Sequence, residues 1–392
     1  MMGVTQRSYC KAASHGNRSR RQAVGGTPWT TLRDSAEREG LQVIQLLERQ
    51  SAKVLKAHHF TEDGVPQENC PWVREAEQNR PAALPAAVVN QALVSVGHAM
   101  HQRGLAEELM VEVTQQCRVA DYEHSGETVN ISMDDVGVKE QKEHRINQAV
   151  AAPAEGRVRL NSQPPAPNQR PTAQNTVAQI ERPGQRFTLT GSSVFQVLRF
   201  VLAFLLNNSL LTQCLRFFTD GQRSLQGAIL AFFGWHPAVS LLLDGFHLVK
   251  KFKEELSLAC CGREIRNRHL RALLGLLWVG LLDRAQAYLR ALPSAELKNT
   301  APIERLIHYL ERNRPWIPCY ALRRQLGLPN SSNPVERANN LVTSNRQKHN
   351  GMSWSEAGSY ALTALSAVVL NGSAKTWVWN RVIPFKFAAK AA

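Results

Sequence analysis

The stretch from Gln213 to His247 restricts the possible folds of this chain more than any other. Leu215, Phe217 and Phe218 form a short apolar run that stops at Thr219-Asp220-Gly221. Leu225 to Phe233 has helical spacing, and Val239 to Leu243 is a second apolar run that stops at Asp244. Short, unbroken apolar runs flanked by helical pattern are expected of buried parallel strands, and a crossover helix puts both strand ends on one edge of the sheet. A carboxylate at the carboxyl end of such a strand lies where open α/β sheets bind their ligands. This happens twice within one β-α-β unit, so two acids are expected to converge.

The rest of the chain supplies the partner. Among 392 residues, 47 Lys and Arg against 32 Asp and Glu give a net charge of +15, which points to a polyanion, nucleic acid before a membrane surface. From residue 262 onward 19 basic side chains stand against 7 acidic ones. The seven cysteines are irregularly placed, form no CxxC pair and follow no secretory apolar segment, as expected of a reduced cytoplasmic protein. The most apolar segment, Val194 to Leu211, carries Gln196, Arg199, Asn207 and Asn208; it is too short and too polar to span a bilayer and reads as a buried helix.

Residues 1–28, with Arg18, Arg20 and Arg21 among small polar residues, read as a disordered basic tail. Residues 29–125 read as an α-helical region, with helices over 31–58, 86–103 and 105–118 around a loop holding Pro66, Pro71, Pro81 and Pro85. A DNA-binding module and a scaffolding bundle fit it equally. From Thr128 to Asp135 the pattern alternates, with Val129, Ile131 and Met133 on one side and Asn130, Ser132 and Asp134 on the other, predicting a strand that ends in acids. A Pro-rich stretch over 150–175 reads as an exposed insertion, and strands at 176–181 and 186–190 flank a Pro183-Gly184 hairpin turn.

Strand, hairpin, helix, strand, helix, strand, helix is the element order of a ribonuclease-H-like domain, an α/β fold with a mixed sheet. The order places its core at 126–258. Helical patterns over 266–292 and 302–312 predict a helical insertion over 259–330, and residues 331–392 supply the final core helices. Asn333-Pro334 starts the first of these, cap followed by proline, so Glu336 falls in its first turn. Such a sheet, when it cuts or joins nucleic acid, needs three carboxylates to hold two divalent ions about 4 Å apart. Asp134, Asp220 and Glu336 are the candidates, and Mg²⁺ suits oxygen ligands that leave waters free for exchange with phosphate.

Three segments then carry a family resemblance: MDDVGVK at 133–139, TDGQRSLQGAI at 219–229 followed by DGFH at 244–247, and SSNPVERANNLVTSNRQKHNGMSWS at 331–355. Over residues 133–354 the chain resembles the bacterial insertion-sequence transposases of the DDE type, in the broad Mutator-like group. The resemblance implies metal-dependent cleavage at the element's ends and strand transfer into target DNA. It also implies two Mg²⁺ or Mn²⁺ ions on Asp134, Asp220 and Glu336, a homo-oligomer, and a bacterial, nucleoid-associated location with no membrane. Asp244 and His247 match the family's C/D-x-x-H signature and join the catalytic set; the plainer reading is a helix cap and a structural histidine. Arg337, Arg346 and Lys348 suit DNA phosphates, and Trp354 could stack an end base, or it packs in the core.

Two choices stay open. Asp135 follows Asp134 where the family often has glycine, so either acid could be the first ligand. Asp220 competes with Asp244 as the second, since both end strands; Asp220 is favoured because Asp244 has His247 one helical turn on. The competing functions are a nuclease or junction resolvase of the same fold that lacks strand transfer, and a catalytically silent DNA-binding derivative.

Overall fold

A computed structural model describes residues 29–102, 108–119, 122–141, 172–348 and 352–387. The expected basic tail over 1–28, and the Pro-rich stretch over 150–175 except its last residues, lie outside them.

Four helices open the described chain: α1 (Trp29–Ala57), α2 (Pro71–Gln78), α3 (Ala86–Gln102) and α4 (Leu109–Val119). Then come β1 (Thr128–Lys139), β2 (Thr172–Arg182), β3 (Gln185–Gly191), α5 (Val194–Asn207), β4 (Cys214–Thr219), α6 (Arg223–Phe233) and β5 (Val239–Leu243). After them follow α7 (Gly245–Ala259), α8 (Arg263–Trp278), α9 (Leu282–Arg290), α10 (Ala301–Asn313) and α11 (Tyr320–Gln325). The chain closes with α12 (Asn333–Asn339), which continues through a π turn over Asn340–Ser344, and with α13 (Glu356–Leu370) and α14 (Ala374–Asn380). Among the described residues no helix is long and apolar enough to cross a membrane.

The sheet is mixed, in the order β3-β2-β1-β4-β5: β1, β2 and β3 run antiparallel in turn, while β4 and β5 run parallel to β1. Gly184 takes φ +74° in the β2–β3 turn, a conformation glycine enters without steric cost. Alternation along β1 decides what each face does. Val129, Ile131 and Met133, with Leu215, Phe217 and Leu241, face a core shared with α5, α6 and α1. Phe218 and Leu242 face the opposite core, built with α7 to α10.

α5 begins where the Ser193 hydroxyl accepts a hydrogen bond from the Gln196 amide, and Val197, Leu198 and every residue from Phe200 to Leu206 are buried. A helix apolar on nearly all sides must lie between layers. Here those layers are the sheet, where Phe187 stacks on Phe204 at 4.5 Å, and α1 beyond.

The helical region at 29–125 is not a unit apart. Ala36, Val43, Ile44, Leu47 and Leu55 of α1 belong to the main core, while α3 and α4 pack against α11. A Cβ on Gly40 would lie 2.2 Å from the Ala361 carbonyl oxygen, so α1 crosses α13 backbone to backbone. The long helical pattern over 266–292 is two helices, broken at Gly280, which has φ +83°. β1 runs four residues past Asp135 because Val136 and Val138 keep the buried alternation going. α2 occupies part of the expected proline loop, with Pro71 at its first position, where the missing amide hydrogen costs nothing.

Candidate functional site

The strand register builds the site. Ser132 pairs with Phe218, and Thr219 pairs with Leu243. Two residues on from Ser132 and one on from Thr219 and Leu243, Asp134, Asp220 and Asp244 therefore lie level across three neighbouring parallel strands, at the ends of β4 and β5 and within β1. Side-chain alternation puts Asp134 on the same face as Ser132 and Phe218. Asp135 points to the other face, where it is exposed and accepts a 2.5 Å hydrogen bond from Thr176 on β2. Of the two first-strand acids, Asp134 is the one beside Asp220.

Burial pushes the Asp134 carboxyl above its ordinary range, and the neighbouring charges of Asp220 and Asp135 push the same way; His247 and the Asp135 amide oppose them. Its Oδ2 accepts a hydrogen bond from the Asn339 side-chain amide at 2.5 Å. Asp220 is half-buried, and its carboxylate accepts the Gln222 amide at 2.8 Å in an Asx turn that Gly221, at φ +91°, lets close. The Tyr309 hydroxyl donates to the Asp220 carbonyl at 3.4 Å, and burial, then the charges of Asp220 and Asp244, hold that phenol protonated.

Asp244 differs from its two neighbours in being fully buried. It caps α7 through the Phe246 amide at 2.8 Å, meets His247 Nδ1 at 2.8 Å and accepts the Ser332 hydroxyl. Its lone pairs are engaged by the protein, which suits an orienting residue more than an open ligand. Nδ1 is taken up by the hydrogen bond to Asp244, so Nε2 is the imidazole's working atom. That nitrogen lies 3.7 Å from Glu336 Oε1. The hydrogen bond to Asp244, aided by the charges of Asp244, Asp220 and Glu336 and opposed by burial, raises His247 above its ordinary 6.5.

Glu336 reaches this point from α12. Val335 and Ala338 pack with Val177 of β2 and leave Glu336 and Asn339, one turn apart, turned to the strand ends. The helix starts one residue earlier than its Asn-Pro signal, with Ser332 in the cap position. The π turn that follows has the i→i+5 spacing seen most often at functional sites.

Asp134, Asp220, Asp244, His247 and Glu336 are thus brought together. Asn339, Ser332 and Tyr309 join them and were not expected from the sequence. For Asn339 a signal existed, its place three residues after Glu336; for Tyr309, on α10, there was none. Arg337 and Lys348 are exposed near α12, as phosphate contacts require. Arg346 and Trp354 are not presented to a ligand: they are 4% and 6% exposed. The guanidinium stands over the indole at 5.0 Å, and the indole N–H donates to the Gln347 carbonyl. The expected base-stacking tryptophan and phosphate-binding arginine are core residues, because Trp354 is bridged to the chain at the end of β1, where its amide bonds the Lys139 carbonyl at 3.0 Å.

Among the described residues no three His, Cys, Asp or Glu side chains are close enough, as they stand, to share one metal ion. His247 stands between Asp244 and Glu336, and Asn339 holds Asp134. No protein-family model, curated protein or solved structure matches this chain.

Proposed function

We propose that the protein is a DDE-type transposase of the Mutator-like group, with a ribonuclease-H-like catalytic domain that cuts DNA at the ends of a mobile element and joins the freed 3′-hydroxyl to target DNA. The observation that carries this reading is the register that sets Asp134 and Asp220 level on adjacent parallel strands, with Glu336 arriving from a late helix on the same face. The sheet order, with a hairpin on one side of β1 and two parallel strands on the other, supports the fold assignment.

The donor set fits Mg²⁺ or Mn²⁺. Asp134, Asp220 and Glu336 offer hard oxygens, and the Asp220 charge that helps raise Asp134 is the repulsion a cation relieves. Two such ions, when bound, supply activation of the attacking oxygen and neutralisation of the leaving one. The chain's own residues do the rest. Asn339 fixes the Asp134 carboxylate, Asp244 fixes the His247 ring, and Nε2 of that ring is placed to hold a proton or a phosphate oxygen beside Glu336. Arg337 and Lys348 face outward, where backbone phosphates would be gripped.

The test is strand transfer of a labelled duplex carrying the element's terminal sequences, with Mg²⁺ or Mn²⁺, for wild type, Asp220→Ala and Asp244→Ala. Loss of joining with Asp220→Ala is expected, by about 10³-fold or more if transition-state charge stabilisation is lost. Asp244→Ala should leave residual joining, since it acts through His247. Joining that survives Asp220→Ala would overturn the ligand assignment, and metal-dependent cutting without joining would make the protein a nuclease. Mg²⁺ alone at about ten times its Kd should stabilise the wild type by about 1.4 kcal/mol, and Asp134→Asn should lose that gain.

A further inference from the structure

Toward the amino ends of β4 and β5, the sheet carries a group of buried charges that the chemistry above leaves unused. Arg216 lies on β4 between Asn130 of β1 and Ser240 of β5. Its Nη2 donates to Glu123 at 2.5 Å. Arg323 of α11, 3% exposed, approaches the same carboxylate oxygen at 4.0 Å and gives its Nε and Nη2 to the Pro329 carbonyl. The buried Arg323 guanidinium and the half-buried Arg216 guanidinium therefore share one buried carboxylate, and one positive charge is left over. Burial, then the Arg216 charge, draws Arg323 down to about 10. The Arg216 Nε–H and the Asn130 Oδ1 are shut off from solvent, and among the described residues neither has a hydrogen-bond partner.

An uncompensated buried cation is costly, and so is an orphaned donor. Packing alone does not explain why this chain keeps both beside open space. Two adjoining clefts of about 360 and 300 Å³ meet at Tyr122, Arg216 and Ser240; Cys214 lies on the wall of the first, Arg323 and Cys319 on the second. Cavities of this size suit small ligands. Paired guanidinium forks match an anion that offers several oxygens, phosphate above all. A duplex cannot enter such a space.

We propose that this cleft binds a small phosphate-bearing ligand, its phosphate seated between Arg216 and Arg323 and accepting from the Ser240 hydroxyl and, once the Arg216 side chain turns into the cleft, from Arg216 Nε. The ligand completes the charge balance and ties the segment before β1, together with α11, to the sheet. This site is independent of the acids at the other end of the strands, so it stands or falls apart from the transposase reading.

The full-length protein is alkylated with N-ethylmaleimide and each cysteine's rate is followed by mass spectrometry, with and without inorganic phosphate or AMP at constant ionic strength. Half-buried Cys214 reports the cleft, and exposed Cys261 is the internal reference. Either ligand at about ten times its Kd should slow Cys214 about tenfold and leave Cys261 unchanged; AMP acting where phosphate does not would identify an ester as the occupant. Arg216→Gln should abolish the protection. Ser240→Leu, which fills the cleft and leaves the Glu123–Arg216–Arg323 group in place, should abolish it too. No slowing in the wild type, slowing that persists in either variant, or slowing by duplex DNA alone would overturn the proposal.

Discussion

His247 and Asp134 are the residues at which the site's electrostatics can be read. His247 is raised above its ordinary value by the hydrogen bond to Asp244 and the charges of its acidic neighbours, against the opposing effect of burial. A histidine raised in the folded state contributes stability that is fully present below its unfolded value of about 6.5 and lost as pH rises through the higher folded value. Replacing it with Gln should therefore cost more stability at pH 6 than at pH 9, as thermal melts at both pH values would show; an equal cost at both would mean that the imidazolium is not held by those acids. Asp134 works in the opposite sense. Its carboxyl is raised chiefly by burial, so ionising it weighs against folding, while Asn could still accept the Asn339 hydrogen bond. Asp134→Asn should raise Tm by about 1–2 °C at pH 7.5 and abolish joining, and a fall in Tm would place the strain elsewhere. At this scale the sequence was a partial guide. Asp220 and Asp244 were visible because each ends an apolar run; that Asp244 is enclosed and Asp220 open was not, since enclosure depends on Ser332, 88 residues further on.

At the scale of elements, the strands were legible and their alignment was not. Alternation in β1 and the apolar runs of β4 and β5 follow from burial on one face or two, which a sequence displays directly. The register that levels the acids depends on hydrogen bonds between segments over 80 residues apart, as Ser132 with Phe218, and no local pattern encodes it. The same limit explains Trp354. In sequence, a Gly-Met-Ser-Trp stretch looks much the same whether its tryptophan meets a base or the Arg346 guanidinium. α12 has little freedom, since Val335 and Ala338 are 1% and 2% exposed against Val177. Ala338→Leu adds three carbons to that contact and should cost about 1–3 kcal/mol. The larger effect should be on turnover: lifting Glu336 by about 1 Å should lower joining about 10²-fold, with DNA binding retained. Unchanged joining at wild-type DNA affinity would show that α12 tolerates displacement.

For the molecule as a whole, the amino-terminal helices are where the sequence left most open. Their periodicity is that of any amphipathic helix and says nothing about the surface they cover, so a separate module and a layer of the core read alike. α1 is a layer of the core: Gln196 joins Glu48 of α1 to Tyr360 of α13, and Gly40 meets Ala361 at the crossing. Helix propensity alone predicts that Gly40→Ala stabilises by about 1 kcal/mol. A methyl 2.2 Å from a backbone oxygen forces the helices apart, and overpacking of that kind costs about 1–3 kcal/mol. The clash should win, and urea melts should show a net loss; a gain would mean that α1 is free to move away from α13. One consequence concerns the gap between His247 and Glu336. α7, which carries His247, packs against β4 and β5 together with the helices of the insertion, whereas α12 packs against β2. The 3.7 Å between the two side chains is therefore a gauge between two helices seated on different strands, and any tilt of one against the other changes the field at a single imidazole. An NMR titration of that one ring would report from inside the site how the two helices are seated.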